Sequence, residues 1–178
     1  AVYGVGPAGL AFIQGAKALG AGKVIAIARN AERLGRAEHF GADILINSAE
    51  ENVIEKVRVE TGGIGADIVC EAAGAAETIN QCFDIVRKAG RIYLYGLPGD
   101  REAIQFPVMN INLNQLEIYG AVGEPRVWKP LLTLIASGRI NVKDMVTHRF
   151  PLADISRGFE IMRDKKENPI KIVLHPQE

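Results

Sequence analysis

The chain has 178 residues, 48% apolar and 24% charged, a composition that supports a packed core and excludes intrinsic disorder. Its 21 Lys and Arg balance 21 Asp and Glu, which excludes the basic excess of a nucleic-acid binder, and no stretch is long and apolar enough to span a bilayer. Two cysteines, Cys70 and Cys82, cannot build a disulfide framework, and the opening run lacks the basic start of a secretory signal, so a soluble, cytoplasmic protein with reduced thiols is expected, partnered by neither nucleic acid nor membrane.

Ala1 to Val5 reads as a buried strand already in progress, without a leading Met, as in a sequence cut from a longer one. Gly4-Val5-Gly6-Pro7-Ala8-Gly9 follows, then a helix from Leu10 to Leu19 with Leu10, Ile13 and Ala16 inward. Val24 to Ala28 is a continuous apolar run, the mark of a parallel strand buried on both faces. Asn30 caps a helix over Ala31 to Phe40. Asp43 to Ile46 is a third strand, and Glu50 to Glu60 a helix with Val53, Ile54 and Val57 on one face. Asp67 to Cys70 is strand four, and Glu77 to Lys88 a helix with Ile79, Cys82, Phe83 and Val86 inward, stopped by Gly90. Arg91 to Tyr95 and Leu116 to Val122 are strands five and six, and Trp128 to Ala136 is a helix. Beyond these come an extended Thr147 to Leu152, a helix over Ala153 to Asp164 and a short strand from Ile170 to Leu174, which need not join the same sheet.

This alternation predicts an α/β, doubly wound Rossmann fold, a six-stranded parallel sheet with helices on both faces. Residues 1–145 form the dinucleotide-binding domain. The glycine motif explains the ligand: a pyrophosphate needs backbone N–H donors at a helix N-terminus and close approach of the chain. Gly4 permits the tight turn, Gly6 leaves room for the pyrophosphate, and Gly9 lets the helix pack on the strand. Pro7 has no N–H, so Ala8 and its neighbours are the donors.

The second strand indicates which dinucleotide. NAD-specific enzymes place an Asp or Glu about 20 residues past the motif to hold the ribose hydroxyls. Here Gly9 plus 19 lands on Ala28, with Arg29 next and Arg33 in the following helix. Ala28 leaves space, and either arginine can grip a 2′-phosphate through two charged hydrogen bonds. NADP is expected, NAD less so. The plainer alternative is that both arginines are ordinary solvated cations.

The residues also carry a resemblance. Gly4 to Leu10, Arg33-Leu34, Phe40-Gly41-Ala42-Asp43, Gly65 to Glu71 with Gly74, Lys88 to Ile92 leading to Gly96, and Val146 to Leu152 occur in order over nearly the whole chain. This set resembles the cofactor-binding half of the medium-chain, zinc-type alcohol dehydrogenases, nearest the sorbitol and threonine dehydrogenase branch. The resemblance implies hydride transfer between a nicotinamide cofactor and an alcohol or polyol. It places Ala8 near the nicotinamide, Ala72 and Ala73 along the groove, and Leu97 and Ala121 at the carboxamide. It makes residues 146–178 the return segment of a catalytic domain, and it puts the zinc in an N-terminal domain of about 150 residues. It also implies a homo-oligomer built along the edge of strand six. Within this chain no catalytic or metal-ligating residue is expected. Cys70 and Cys82 stand apart, His39 reads as solvated, His148 as a structural hydrogen bonder and Glu71 as a solvated or hydrogen-bonded carboxylate. Two other readings remain: a methyltransferase using S-adenosylmethionine, which wants an acid where Ala28 stands, and a nucleotide-sensing module, which leaves the tail without a role.

Overall fold

The computed structural model describes residues 1–99, 103–120, 122, 123 and 125–177. The elements that build the main sheet and its layers are β1 (Val2–Tyr3), α1 (Pro7–Ala18), β2 (Ile25–Ala28), α2 (Ala31–His39), β3 (Ile44–Asn47), α3 (Val53–Glu60), β4 (Ala66–Glu71), α4 (Ala76–Ile85), β5 (Val86–Leu94), α5 (Val108–Asn114), β6 (Glu117–Gly120) and α6 (Trp128–Ala136). The sheet order is β3-β2-β1-β4-β5-β6, every pairing parallel. That is the doubly wound Rossmann arrangement the alternation predicts. Among the described residues no helix is long and apolar enough to cross a membrane.

Side-chain alternation splits the core into two layers. Tyr3, Ile25, Ile27, Ile46, Val69 and Ile92 face Val53, Val57, Cys82 and Phe83 of α3 and α4. Val2 and Ala26 face Leu10 and Ile13 of α1 and Leu34 and Ala37 of α2. Burying each large aliphatic side chain is worth about 1.5–3 kcal/mol, so strands with no polar face hold helices on both sides. Local capping fixes the helix starts: Asn30 Oδ1 accepts from the Arg33 amide at 2.9 Å, and Asn52 Oδ1 from the amides of Ile54 and Glu55. The Asn52 cap starts α3 three residues later than its periodicity suggests, while Glu51 turns back to accept from the Asn47 amide.

The largest departure is at α4 and β5. Val86, expected inward on the helix, is extended and opens β5 by pairing with Ala66. The register then jumps from Ala66–Val86 to Ile68–Arg91. Residues 87–90 loop out between them, closed by Arg87, which bonds Asp67 at 2.6 Å and the carbonyls of Lys88 and Ala89. Strand pairing there replaces the last helical turn. Helix α5 is unforeseen, and β6 is shorter than Leu116 to Val122.

The tail consists of β7 (Val146–Pro151), a 3₁₀ turn (Leu152–Asp154), α7 (Ile155–Asp164) and β8 (Lys171–His175). The two strands pair in parallel with each other in a separate two-stranded sheet. Ile170, just before β8, is 3% exposed and packs in the α1–α2 layer.

Candidate functional site

The strand order reverses between β1 and β4, and in open parallel sheets ligands bind outside the carboxyl ends of the strands at that point. The β1–α1 loop sits there. Gly4 has φ +84°, and a Cβ on it would lie 2.8 Å from the Ala73 amide nitrogen. A Cβ on Gly9 would collide with the carbonyl oxygen of Gly4, so only glycine lets α1 pack on β1. Gly6 differs: apart from its own chain neighbours, nothing lies within 4 Å of where its Cβ would stand. Gly6 is also the N-cap of α1, with no side chain capping the helix, Pro7 at its start and no acidic residue in its first turn. The first intrahelical bond runs from the Leu10 amide to Gly6 O at 3.0 Å, so the amides of Ala8 and Gly9 precede it. An uncapped, positively polarised helix end with empty space before it suits an anion.

The β4–α4 loop forms the second wall. Glu71 ends β4 fully buried, and its carboxylate accepts from the amides of Ala73 and Gly74, each at 2.9 Å, and from Thr78 Oγ1 at 2.8 Å. It is therefore a hydrogen-bonded structural carboxylate. The Ala72 amide donates to Tyr3 O at 2.8 Å, which places Ala72 and Ala73 beside the glycine turn. Leu97 lies on the rim, its side chain 90% exposed and its carbonyl against Gly74. Ala121 lies outside the described residues.

At the end of β2, Ala28 is half-buried and its carbonyl accepts from the Ser48 amide. Arg29 is exposed, with no hydrogen-bond or ion-pair partner among the described residues. Arg33 is differently placed: its guanidinium turns to the tail, with Nη2 3.5 Å from Pro169 O and Nε buried without a partner. The structure thus separates the two arginines that the sequence treats alike. It also adds Lys171, an exposed residue of β8 that lines a cavity of about 300 Å³ together with Pro7. A lone lysine in a short strand gives no sequence signal.

No group of three or more His, Cys, Asp or Glu able to hold a metal ion occurs among the described residues. Burial pushes the thiols of Cys70 and Cys82 up, away from the thiolate a metal needs. His39 Nε2 pairs with Asp144 at 2.9 Å, and His148 bonds Glu167 and Thr147 at 3.2 and 2.9 Å. Among the described residues these donors do not fit a zinc site.

Comparison with known proteins places this geometry. Residues 7–137 match the family described as zinc-binding dehydrogenase. L-threonine 3-dehydrogenase of Bacillus licheniformis is 37% identical over 178 residues, covering 99% of this chain and 51% of that protein. Erythritol/L-threitol dehydrogenase of Mycolicibacterium smegmatis is 34% identical, covering 98% of this chain and 48% of that protein. A solved structure from Sinorhizobium meliloti 1021, described as a zinc-binding dehydrogenase and bound to NADP, superposes with a TM-score of 0.86 at 27% identity, covering 98% of this chain and 51% of that one. The chain spans about half the length of the curated relatives it matches.

Proposed function

The chain belongs to the zinc-type, medium-chain alcohol dehydrogenase family, and we propose that it is the NADP(H)-binding half of an enzyme that moves a hydride between the nicotinamide and an alcohol or polyol. The observation that carries this reading is the open space before Gly6 at the uncapped start of α1. The pyrophosphate lies against Gly6, Pro7, Ala8 and Gly9, held by the amides of Ala8 and Gly9, with the Lys171 ammonium adding charge from the tail. Ala72, Ala73 and the Leu97 backbone flank the nicotinamide end, and Ala121 belongs with them by family resemblance. When bound, the nicotinamide supplies or accepts the hydride, and this half orients it and shields one face from water. Zinc belongs to the half of the enzyme beyond this chain, and no step here passes through it.

NADP over NAD rests on Ala28, which neither bonds a 2′-hydroxyl nor repels a 2′-phosphate, and on the exposed Arg29, which has no partner among the described residues. The NADP-bound Sinorhizobium meliloti structure supports the same choice. Titration calorimetry of the chain with NADPH, NADH and S-adenosylmethionine tests the reading. NADPH tightest is the expected order; NADH tighter overturns the cofactor choice, and S-adenosylmethionine alone overturns the dehydrogenase reading.

The free cysteines support a reducing compartment, the cytoplasm. A homo-oligomer along β6 is supported by the apolar surface around that edge: Val108, Met109 and Leu113 of α5, Trp128 of α6 and Val122 are exposed. A monomer by light scattering of the complete enzyme at micromolar concentration rules it out.

A further inference from the structure

We propose that Asn168, in the turn between α7 and β8, is a positioning residue that sets the selectivity of the site for a 2′-phosphate. The proposal rests on the dinucleotide reading above and goes beyond it, because Asn168 lies 138 positions from Asn30, the residue it holds.

The turn is built to stay in place. Lys165 and Asn168 both have left-handed backbones, φ 54° and 45°, a conformation Asn tolerates better than most residues. The Asn168 amide closes the turn onto Lys165 O at 3.1 Å. Pro169 and Ile170, which follow, are buried, and Ile170 plugs the α1–α2 layer.

From that anchor the side chain and the carbonyl of Asn168 bond α2 and its cap. Its Oδ1 accepts from Asn30 Nδ2 at 3.2 Å, its Nδ2 donates to Glu32 Oε2, and its carbonyl accepts from Arg36 Nη1 at 3.1 Å. Asn30 is the N-cap of α2, so its side chain is held at both ends, by Asn168 and by the Arg33 amide. Glu32 is held on two sides as well, by Asn168 and by Arg36 Nη2 at 3.2 Å. Glu32 is the acidic residue in the first turn of α2, three positions from Arg29. Tethered, its charge is partly neutralised and directed at the tail. Released, the carboxylate can pair with Arg29 and repel a 2′-phosphate, while a ribose hydroxyl is indifferent to it or gains an acceptor. Asn168 therefore favours NADPH over NADH without touching either.

The test is Asn168→Gly, which keeps the left-handed turn and removes the side chain. NADPH and NADH affinities are measured by calorimetry on the 178-residue chain, alone and combined with Glu32→Gln. The NADPH to NADH affinity ratio is expected to fall about fivefold to tenfold, the weight of roughly one ordinary net hydrogen bond, and Glu32→Gln is expected to restore most of it. Asn168→Asp, which also suits the turn but faces Glu32 with a like charge, is expected to lower the ratio further. Amide exchange at Arg33 and Leu34, without nucleotide, is expected to speed up in Asn168→Gly. Equal weakening of both nucleotides, no recovery with Glu32→Gln, or unchanged exchange at Arg33 overturns the role of Asn168. A wild-type chain that binds neither nucleotide overturns the dinucleotide reading itself, and the selectivity role with it, even where exchange responds.

Discussion

Replacing Glu71 by Ala removes the group around which the β4–α4 loop is folded. The carboxylate is fully buried and accepts from the amides of Ala73 and Gly74 and the hydroxyl of Thr78. The hydroxyl has a second acceptor, Ala75 O at 2.9 Å, so the variant strands two backbone donors rather than three. A donor left unsatisfied costs about 1–3 kcal/mol when buried, and less at Ala73, an exposed residue whose amide water can reach. Part of that is offset, because the variant no longer buries a carboxylate. The expected net loss is about 1–4 kcal/mol, a large fraction of the roughly 5–15 kcal/mol that stabilises a typical domain. Urea unfolding at neutral pH, followed by circular dichroism, measures it, and amide exchange at Ala73 and Gly74 locates it. Glu71→Gln keeps one acceptor oxygen but turns an NH₂ toward the Gly74 amide, 3.2 Å from Oε2, and is expected to fall between wild type and Glu71→Ala. A loss below about 1 kcal/mol in Glu71→Ala, with exchange at Ala73 and Gly74 unchanged, refutes the reasoning.

Gly9→Ala drives a methyl into the Gly4 carbonyl; a stability loss of at least about 1–3 kcal/mol and loss of NADPH binding are expected from thermal melts and calorimetry. Arg29→Ala is expected to weaken NADPH by about 1–3 kcal/mol, the range for a charged hydrogen bond, and to leave NADH unchanged, whereas Ala28→Asp shifts preference to NADH in the same titration. Asp43 is held below its ordinary value of 3.8, chiefly by the hydrogen bond from Lys17 and also by that from the Val24 amide. A lowered folded-state value stabilises above the unfolded value and is lost as pH falls through the folded one. The stability difference between wild type and Asp43→Asn is therefore expected to shrink in urea titrations below about pH 4.

The main sheet is legible because its strands are continuous apolar runs and the helices between them start at capping residues. Val24 to Ala28 has one fate as a short run buried on both faces, and Asn30 marks the next start unambiguously. The α4–β5 boundary is not legible. Ile85 and Val86 continue the helical period of Ile79 and Cys82, and only the long-range pairing of Val86 with Ala66 decides against the helix. Helix α5 carries Asn110, Asn112 and Asn114, poor helix formers, and forms where the fold supplies neighbours. In the site, the glycines can be read because their requirement is steric and local. The arginines cannot: the bond that turns Arg33 from the site is made by Pro169, 136 positions away. Lys171 comes to share a cavity with Pro7 only through the folding of the tail.

The burial of Ile170 in the α1–α2 layer has a consequence for biosynthesis. Helix α2 ends at His39 and Ile170 follows 131 positions later in the sequence. On the ribosome the strands and helices of the sheet can assemble as they emerge, yet one layer of that assembly stays unplugged while the next hundred or so residues are made. A nascent chain stalled before position 170 presents an intact sheet with an open seam beside Leu34 and Phe40, residues that Ile170 joins in one cluster. Until Ile170 is made that seam stays open to solvent, so the tail closes the α1–α2 layer late in synthesis.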